Sequence, residues 1–131
     1  MTDIHVSAAV ITDSEGRALL VRKTGTERFM QPGGKPEAGE TAAETLVREL
    51  REELGLVVFQ DQLRPLGTFV SAAANEPGHR VVATAFAMSA EPEDVVVQAE
   101  LAELRWITAA EQDSLLLAPL SSEHLLPLAW G

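Results

Sequence analysis

Apolar and polar positions along this chain alternate in short blocks that predict β-strands joined by turns, with few helices between them. Residues 4–12 are apolar and β-branched, and a polar turn at 13–16 leads into a second apolar block at 18–23. Further strands are predicted at 63–73, 80–88 and 101–107, the first two as a hairpin. Strands interleaved with a few helices are typical of an α/β fold with a mixed sheet.

One helix is predicted with both of its ends marked. Thr41 is a suitable N-cap, and Glu44 three residues later completes the sequence pattern of a capping box. Gly55 supplies the left-handed conformation that ends a helix. At about 100° per residue, one continuous face of this helix is apolar. That face consists of Ala43, Leu46, Val47, Leu50 and Leu54, so we expect the helix to pack against the sheet.

The segments outside these elements are predicted from proline and glycine. Residues 29–31 are expected to be extended, because Pro32 disfavours helical backbone in the residue before it. Gly33 and Gly34 then predict a turn with an exposed backbone. Later in the chain, a short helix is predicted from Thr108 and a helical segment over 121–130.

Size and composition predict one ordinary globular domain over residues 1–131. The absence of cysteine excludes disulfides, cysteine-ligated zinc and thiol nucleophiles. Neither a signal peptide nor an apolar stretch long enough to cross a bilayer is visible, so we expect a cytoplasmic protein without a membrane partner. The apolar segments 115–120 and 125–130 are compatible with a monomer or with a homodimer.

Acidic residues outnumber basic ones by twenty to ten, and the net charge of −10 disfavours nucleic acid as a partner. Six glutamates stand against two arginines between residues 37 and 53. Glu49, Glu52 and Glu53 fall within an arc of roughly 100° near the end of the predicted helix, where like charges destabilise it. A solvated acidic surface is one interpretation. A Mg²⁺ site is the other, because Mg²⁺ takes hard oxygen ligands.

A fixed frame of residues around the cluster favours the metal site. Gly34 is followed after five residues by Glu40, and after seven more by Arg48-Glu49-Leu50-x-Glu52-Glu53-x-Gly55-Leu56. Residues 34–56 thereby resemble the Nudix box, with every specified position filled. The resemblance implies a Nudix-type α/β/α sandwich with a mixed β-sheet. It also implies a hydrolase that cleaves a diphosphate linkage in a nucleotide-like small molecule with water.

The same resemblance implies roles for residues of the box. Glu52 and Glu53 match positions that bind Mg²⁺, with Mn²⁺ as a substitute ion, and Glu49 matches a position that binds metal or orients the water. A backbone carbonyl at Gly33 or Gly34 often completes such a site. Bound Mg²⁺ neutralises phosphate charge and lowers the pKa of its bound water.

Two further residues of the box have implied roles, and two glutamates outside it are candidates for another. Arg48 matches an arginine that pairs with a box glutamate and positions it, while Glu40 supports the geometry of the loop and helix. The general base is not identified by the pattern. Glu100 or Glu103, outside the box, is a candidate for that role, and an ordinary surface glutamate is the alternative for each.

Four residues before the box are candidates for binding the substrate. Arg22 and Lys23 end the second predicted strand, where similar enzymes often contact phosphates; a solvent-exposed strand end is the alternative. Phe29 could stack on a base or pack in the core. Gln31 departs from the resemblance, since relatives mostly carry an apolar residue there. It could hydrogen-bond a base or cap a strand edge.

The substrate is less clearly marked than the reaction. The chain has no tyrosine, unlike dinucleoside polyphosphate hydrolases, and lacks the proline typical of ADP-ribose pyrophosphatases about 15 residues after the box. Its short length and the Pro-Gly-Gly-Lys sequence at 32–35 are similar to MutT-type enzymes. These cleave a nucleoside triphosphate to the monophosphate and pyrophosphate. An ADP-ribose or nucleotide-sugar pyrophosphatase and a non-catalytic nucleotide-binding module are the alternatives.

Overall fold

A six-stranded mixed sheet forms the centre of the computed structural model, which describes residues 2–74, 76–98 and 100–130. The strands are β1 (Thr2–Thr12), β2 (Ala18–Lys23), β3 (Gly33–Gly34), β4 (Arg64–Ala72), β5 (His79–Ser89) and β6 (Leu101–Ile107). Their order is β4-β5-β1-β2-β6, and β3 also pairs with β1. Because β1 and β5 are parallel while the other pairs are antiparallel, the predicted mixed sheet is confirmed.

Helices cover both faces of this sheet. They are α1 (Ala42–Leu54), α2 (Leu126–Trp130) and a π-helical turn just before α2 (Ser121–Leu125). The apolar face of α1 packs against Ala9 and Ile11 of β1. On the opposite face, Leu125 packs against Ala8 and Val10 of the same strand. Side chains alternate along a strand, so residues 8–11 of β1 are all apolar because both faces of the strand are buried there. The α/β/α sandwich is confirmed.

The turn predicted at Gly33 and Gly34 is wrong, because these two residues form β3. They pair with Ser7 and Ala8 at the centre of β1. A Cβ atom on Gly33, whose φ is 153°, would lie 2.0 Å from the carbonyl oxygen of Ser7. Only glycine lets the two backbones come this close. The start of the box is therefore held against the middle of the sheet.

The helical segments late in the chain lie where the sequence predicts them, with 121–130 helical throughout, but they are less regular than an α-helix. The helix expected from Thr108 is a 3₁₀ turn at Ala109–Ser114. Pro127 lies inside the continuous helical stretch 121–130, directly after the π-helical turn, where its missing N–H removes one helical hydrogen bond. Within the ranges given above, every helix is too short or too polar to cross a membrane.

Candidate active site

The two ends of α1 have the predicted caps. The Thr41 hydroxyl accepts a hydrogen bond from the Glu44 N–H at 3.1 Å, and the Glu44 carboxylate accepts one from the Thr41 N–H at 2.8 Å. Gly55, with a φ of 63°, donates its N–H to the Arg51 carbonyl. These caps fix where α1 begins and ends, and therefore which way the glutamates of its last two turns point.

The box glutamates of α1 share one cavity of about 460 Å³. Its lining is mostly polar and consists of Lys23, Gly34, Lys35, Pro36, Glu37, Arg48, Glu49, Glu52, Glu53 and Glu100. We refer to it as the carboxylate cavity. Strand β2, the loop after β3, helix α1 and the segment before β6 each contribute to it, so residues far apart in sequence meet here.

Glu53 is the unusual member of this group because it is buried, with 5% of its surface exposed. Its carboxylate accepts a hydrogen bond from the Gly33 N–H at 3.3 Å. The pKa of Glu53 is raised to about 7, mainly by burial. The positive charge of Lys23 lowers this pKa, and the negative charge of Glu49 raises it. A metal ion or another cation beside this carboxylate would favour its charged form.

Arg48 connects three of the box glutamates to one another. Its guanidinium donates to both oxygens of Glu40, at 2.7 and 2.9 Å, and to Glu49 at 2.8 Å. A longer contact of 3.4 Å reaches Glu52. The side-chain hydrogen bonds from Arg48 lower the pKa of Glu40 to about 2. This geometry agrees with the positioning role that the resemblance implies for Arg48.

The donors in the carboxylate cavity fit a divalent cation. A Cβ on Gly34 would lie 2.5 Å from the carboxyl carbon of Glu49, so the glycine leaves room for that carboxylate. Over the described ranges, no three His, Cys, Asp or Glu side chains already converge on one point. Mg²⁺ does not require such a cluster, since it binds one or two carboxylates and fills its other positions with water and phosphate.

The side chains of the two basic residues at the end of β2 have different surroundings. Lys23 lines the carboxylate cavity. Arg22 instead donates to the Glu103 carboxylate at 3.0 Å and to the Thr26 carbonyl at 2.7 Å. The expected substrate contact at Arg22 is therefore replaced by a structural ion pair, and Lys23 is the better candidate.

Of the two candidate glutamates outside the box, one lies in the carboxylate cavity and the other does not. Glu100 lines the carboxylate cavity, and its carbonyl accepts a hydrogen bond from the Thr24 N–H at 2.7 Å. Glu103 lies on β6 in the ion pair with Arg22, and this hydrogen bond holds its pKa below the usual value. A carboxylate held in its charged form by an arginine is a weak base, so the structure argues against Glu103 as the general base.

Phe29 lies in the core rather than in a cavity. It is 6% exposed and packs with Leu20, Ile107 and Leu126 on the face of the sheet opposite α1. Base stacking by Phe29, one of the two interpretations from sequence, has no support in this position.

Gln31 lines a second cavity, of about 250 Å³, next to the first. Lys23, Gly34 and Lys35 border both cavities. Most of the remaining lining of the second cavity is apolar, including Ile4, Val6, Ala8, Met30, Val81, Ala118 and Leu120, and we refer to it as the apolar cavity. The sequence pattern did not single out Lys35 for substrate binding, although its position directly after the glycines was a usable signal.

The raised pKa of Glu53 predicts how stability depends on pH in the absence of metal. Between its usual pKa of 4.5 and about 7, the folded state binds the Glu53 proton more tightly than the unfolded state does. The free energy of unfolding should therefore fall by up to about 3 kcal/mol as the pH rises through this window. Urea unfolding in a chelator, at about pH 5 and pH 8, would measure this fall. Glu53→Gln should abolish most of it, whereas an equal fall in both proteins would contradict the assignment.

Comparison with known proteins agrees with this geometry. The NUDIX domain family model matches residues 1–130. The "Uncharacterized Nudix hydrolase YvcI" of Bacillus subtilis is 25% identical over 126 residues, covering 96% of this chain and 79% of that protein. A "Putative 8-oxo-dGTP diphosphatase 3" of Mycobacterium tuberculosis is 34% identical over 103 residues, which cover 79% of this chain but only 46% of that protein.

The fold has a close match among solved structures. The MutT protein of Methanosarcina mazei superposes with a TM-score of 0.78 at 21% identity, over 98% of this chain and 93% of that one. Because the family model spans nearly the whole sequence, this chain belongs to the NUDIX domain family and is a Nudix hydrolase.

Proposed function

We propose that this protein hydrolyses a nucleoside triphosphate to the monophosphate and pyrophosphate, with Mg²⁺ as its cation. The observation that carries the proposal is the adjacency of two unlike cavities. The carboxylate cavity offers oxygen ligands to a cation, and the apolar cavity beside it can hold a base or sugar. Lys23 and Lys35 border both cavities, where the phosphate chain of one molecule lying across them would pass.

Each polar group of the site has a part in this proposal. Glu52 and Glu53, with Glu49 and the Gly34 carbonyl, would hold the cation, which when bound neutralises phosphate charge and acidifies a water. Glu100, which faces the same cavity without being part of α1, is our candidate for accepting the proton of the attacking water.

The name of one relative agrees with the proposed substrate class. The relative from M. tuberculosis is described as a putative diphosphatase of 8-oxo-dGTP, which is a nucleoside triphosphate. This chain spans about half of that relative's length. The substrate is therefore our inference from the two cavities, and the name only agrees with it.

Product analysis on a substrate panel tests the proposed function. The purified protein would be incubated with Mg²⁺ and the common nucleoside triphosphates, 8-oxo-dGTP or ADP-ribose. We expect monophosphate and pyrophosphate from the triphosphates, with oxygen-18 from labelled water in only one product. Release of single phosphates, or a clear preference for ADP-ribose, would contradict the triphosphate assignment while leaving the family unchanged.

Divalent ions should raise the thermal stability of the protein, because the unfolded chain has no assembled carboxylate cavity. At a concentration of about 100 times the dissociation constant, a ligand that binds only the folded state adds about 2.7 kcal/mol, or several degrees in Tm for a domain of this size. Thermal melts with Mg²⁺, with Mn²⁺ and with chelator would measure the shift. The double variant Glu52→Gln/Glu53→Gln should lose it. Equal shifts in both proteins would place the metal elsewhere.

A further inference from the structure

Gln31 combines burial with an unsatisfied polar group. The residue is 6% exposed and is one of those that line the apolar cavity. Its Oε1 accepts a hydrogen bond from the Ser121 hydroxyl at 2.5 Å. Within residues 2–74, 76–98 and 100–130, its Nε2 has no hydrogen-bond partner. A buried N–H without a partner is costly, so an acceptor supplied by a ligand would be favoured at this position.

Ser121 holds the oxygen of this amide. It lies 90 residues away in sequence, in the π-helical turn before α2, and it is fully buried. A free amide could rotate and present either its oxygen or its NH₂ group to the cavity. With its hydroxyl proton on Oε1, Ser121 leaves the NH₂ group as the end of the amide that lacks a partner.

The surroundings of the amide indicate which part of a ligand it meets. The apolar cavity is lined by aliphatic side chains such as Val6, Val81 and Leu120, which suit the flat face of a base and not a phosphate. Phosphates have a better place beside Lys23 and the cation that the carboxylates would hold. The bases differ in what their edges offer: guanine and thymine present a keto oxygen where adenine and cytosine present an amino group.

We infer that the Gln31 amide, oriented by Ser121, reads the nucleobase by donating its free N–H to a keto oxygen, so that keto bases are preferred over amino bases. This inference rests on the proposed function, since it concerns the base of that substrate. Gln31 contacts the base directly, and Ser121 is a positioning residue that acts through Gln31.

Two matched substrate pairs test the inference. Inosine and adenosine triphosphates differ only at the keto or amino edge of a purine, and uridine and cytidine triphosphates differ in the same way on a pyrimidine. In the wild type we expect kcat/KM to favour the keto member of at least one pair by about tenfold or more. Gln31→Met, which keeps the length of the side chain but removes the donor, should bring that ratio close to one. Ser121→Ala should lower the ratio as well, because the amide can then turn.

A merely structural role for these residues predicts a different result. Parallel losses on both members of a pair, with the ratio unchanged, would overturn the inference, and so would a wild-type ratio near one in both pairs. A preference for the amino bases would mean that the amide oxygen faces the ligand, which also overturns it. If Gln31→Met does not fold, Gln31→Glu replaces the NH₂ group by an oxygen and should likewise remove the keto preference.

Binding measurements separate this inference from the proposed hydrolysis. Inosine and adenosine monophosphates would be titrated calorimetrically into the wild type and Gln31→Met. Selective binding of the inosine nucleotide that is lost in the variant supports the reading by Gln31, even if no triphosphate is cleaved. Cleavage of triphosphates without any base preference leaves the proposed function standing and refutes the inference.

Discussion

Glu53→Gln is expected to lower kcat by at least about 100-fold, the scale seen when one preorganised charged group is removed from an active site. Glutamine has the size and helix propensity of glutamate but cannot supply a negative charge to a cation. The substitution should also stabilise the metal-free protein above about pH 7, because it removes a charge that is costly to bury. Activity and stability would then change in opposite directions. Initial rates with saturating substrate and Mg²⁺ give the first quantity, and urea unfolding in a chelator gives the second.

Glu44→Gln is the matched control for this result. Glu44 lies on the same helix, but its carboxylate closes the capping box with Thr41, and glutamine is accepted at that position of the box. We expect nearly unchanged kcat and far-ultraviolet circular dichroism in this variant. If Glu53→Gln is folded and turns over as fast as Glu44→Gln does, the assigned role of Glu53 is wrong.

The parts of the site that could be predicted from sequence are those determined by local pattern. A capping box, a left-handed glycine and an apolar stripe are properties of consecutive residues, so both ends of α1 and its buried face follow from them. Strands β2 and β6 begin and end where the alternation of apolar and polar residues placed them. The three box glutamates point into one cavity because the spacing on α1 requires it.

The parts that could not be predicted depend on contacts between distant segments. Arg22 and Lys23 look equivalent in sequence, yet only the neighbouring strand β6 shows that Glu103 binds Arg22. The core position of Phe29 results from packing against Leu126 near the other end of the chain. The contact of Gln31 with Ser121 bridges 90 residues. No periodicity within one segment contains this information.

The pairing of Gly33 with β1 makes Gly33→Ala the most damaging single substitution that we expect in the box region. The added Cβ would lie 2.0 Å from the Ser7 carbonyl oxygen and 3.0 Å from the Ala8 Cα, both backbone atoms that cannot turn away. β3 would have to separate from β1, and the hydrogen bond from the Gly33 N–H to Glu53 would be lost with it. We expect the free energy of unfolding to fall by about 3 kcal/mol, with loss of activity.

Two other glycines show whether this effect comes from the close approach of the backbones. The three atoms nearest to a Cβ on Gly34 all belong to the flexible end of Glu49, the closest at 2.5 Å. For Gly34→Ala, stability should therefore change by less than about 1 kcal/mol, while kcat falls as that carboxylate is displaced. Gly25 has a φ of 83°, and a Cβ placed on it would have no described atom beyond its chain neighbours within 4 Å. Gly25→Ala therefore measures the cost of the backbone conformation alone. That cost should be about 1 kcal/mol, without loss of kcat. Urea unfolding and initial rates on all three variants test whether Gly33→Ala loses the most stability and whether Gly25→Ala alone keeps its kcat. A Gly33→Ala protein as stable as Gly25→Ala would mean that β3 does not need to lie so close to β1.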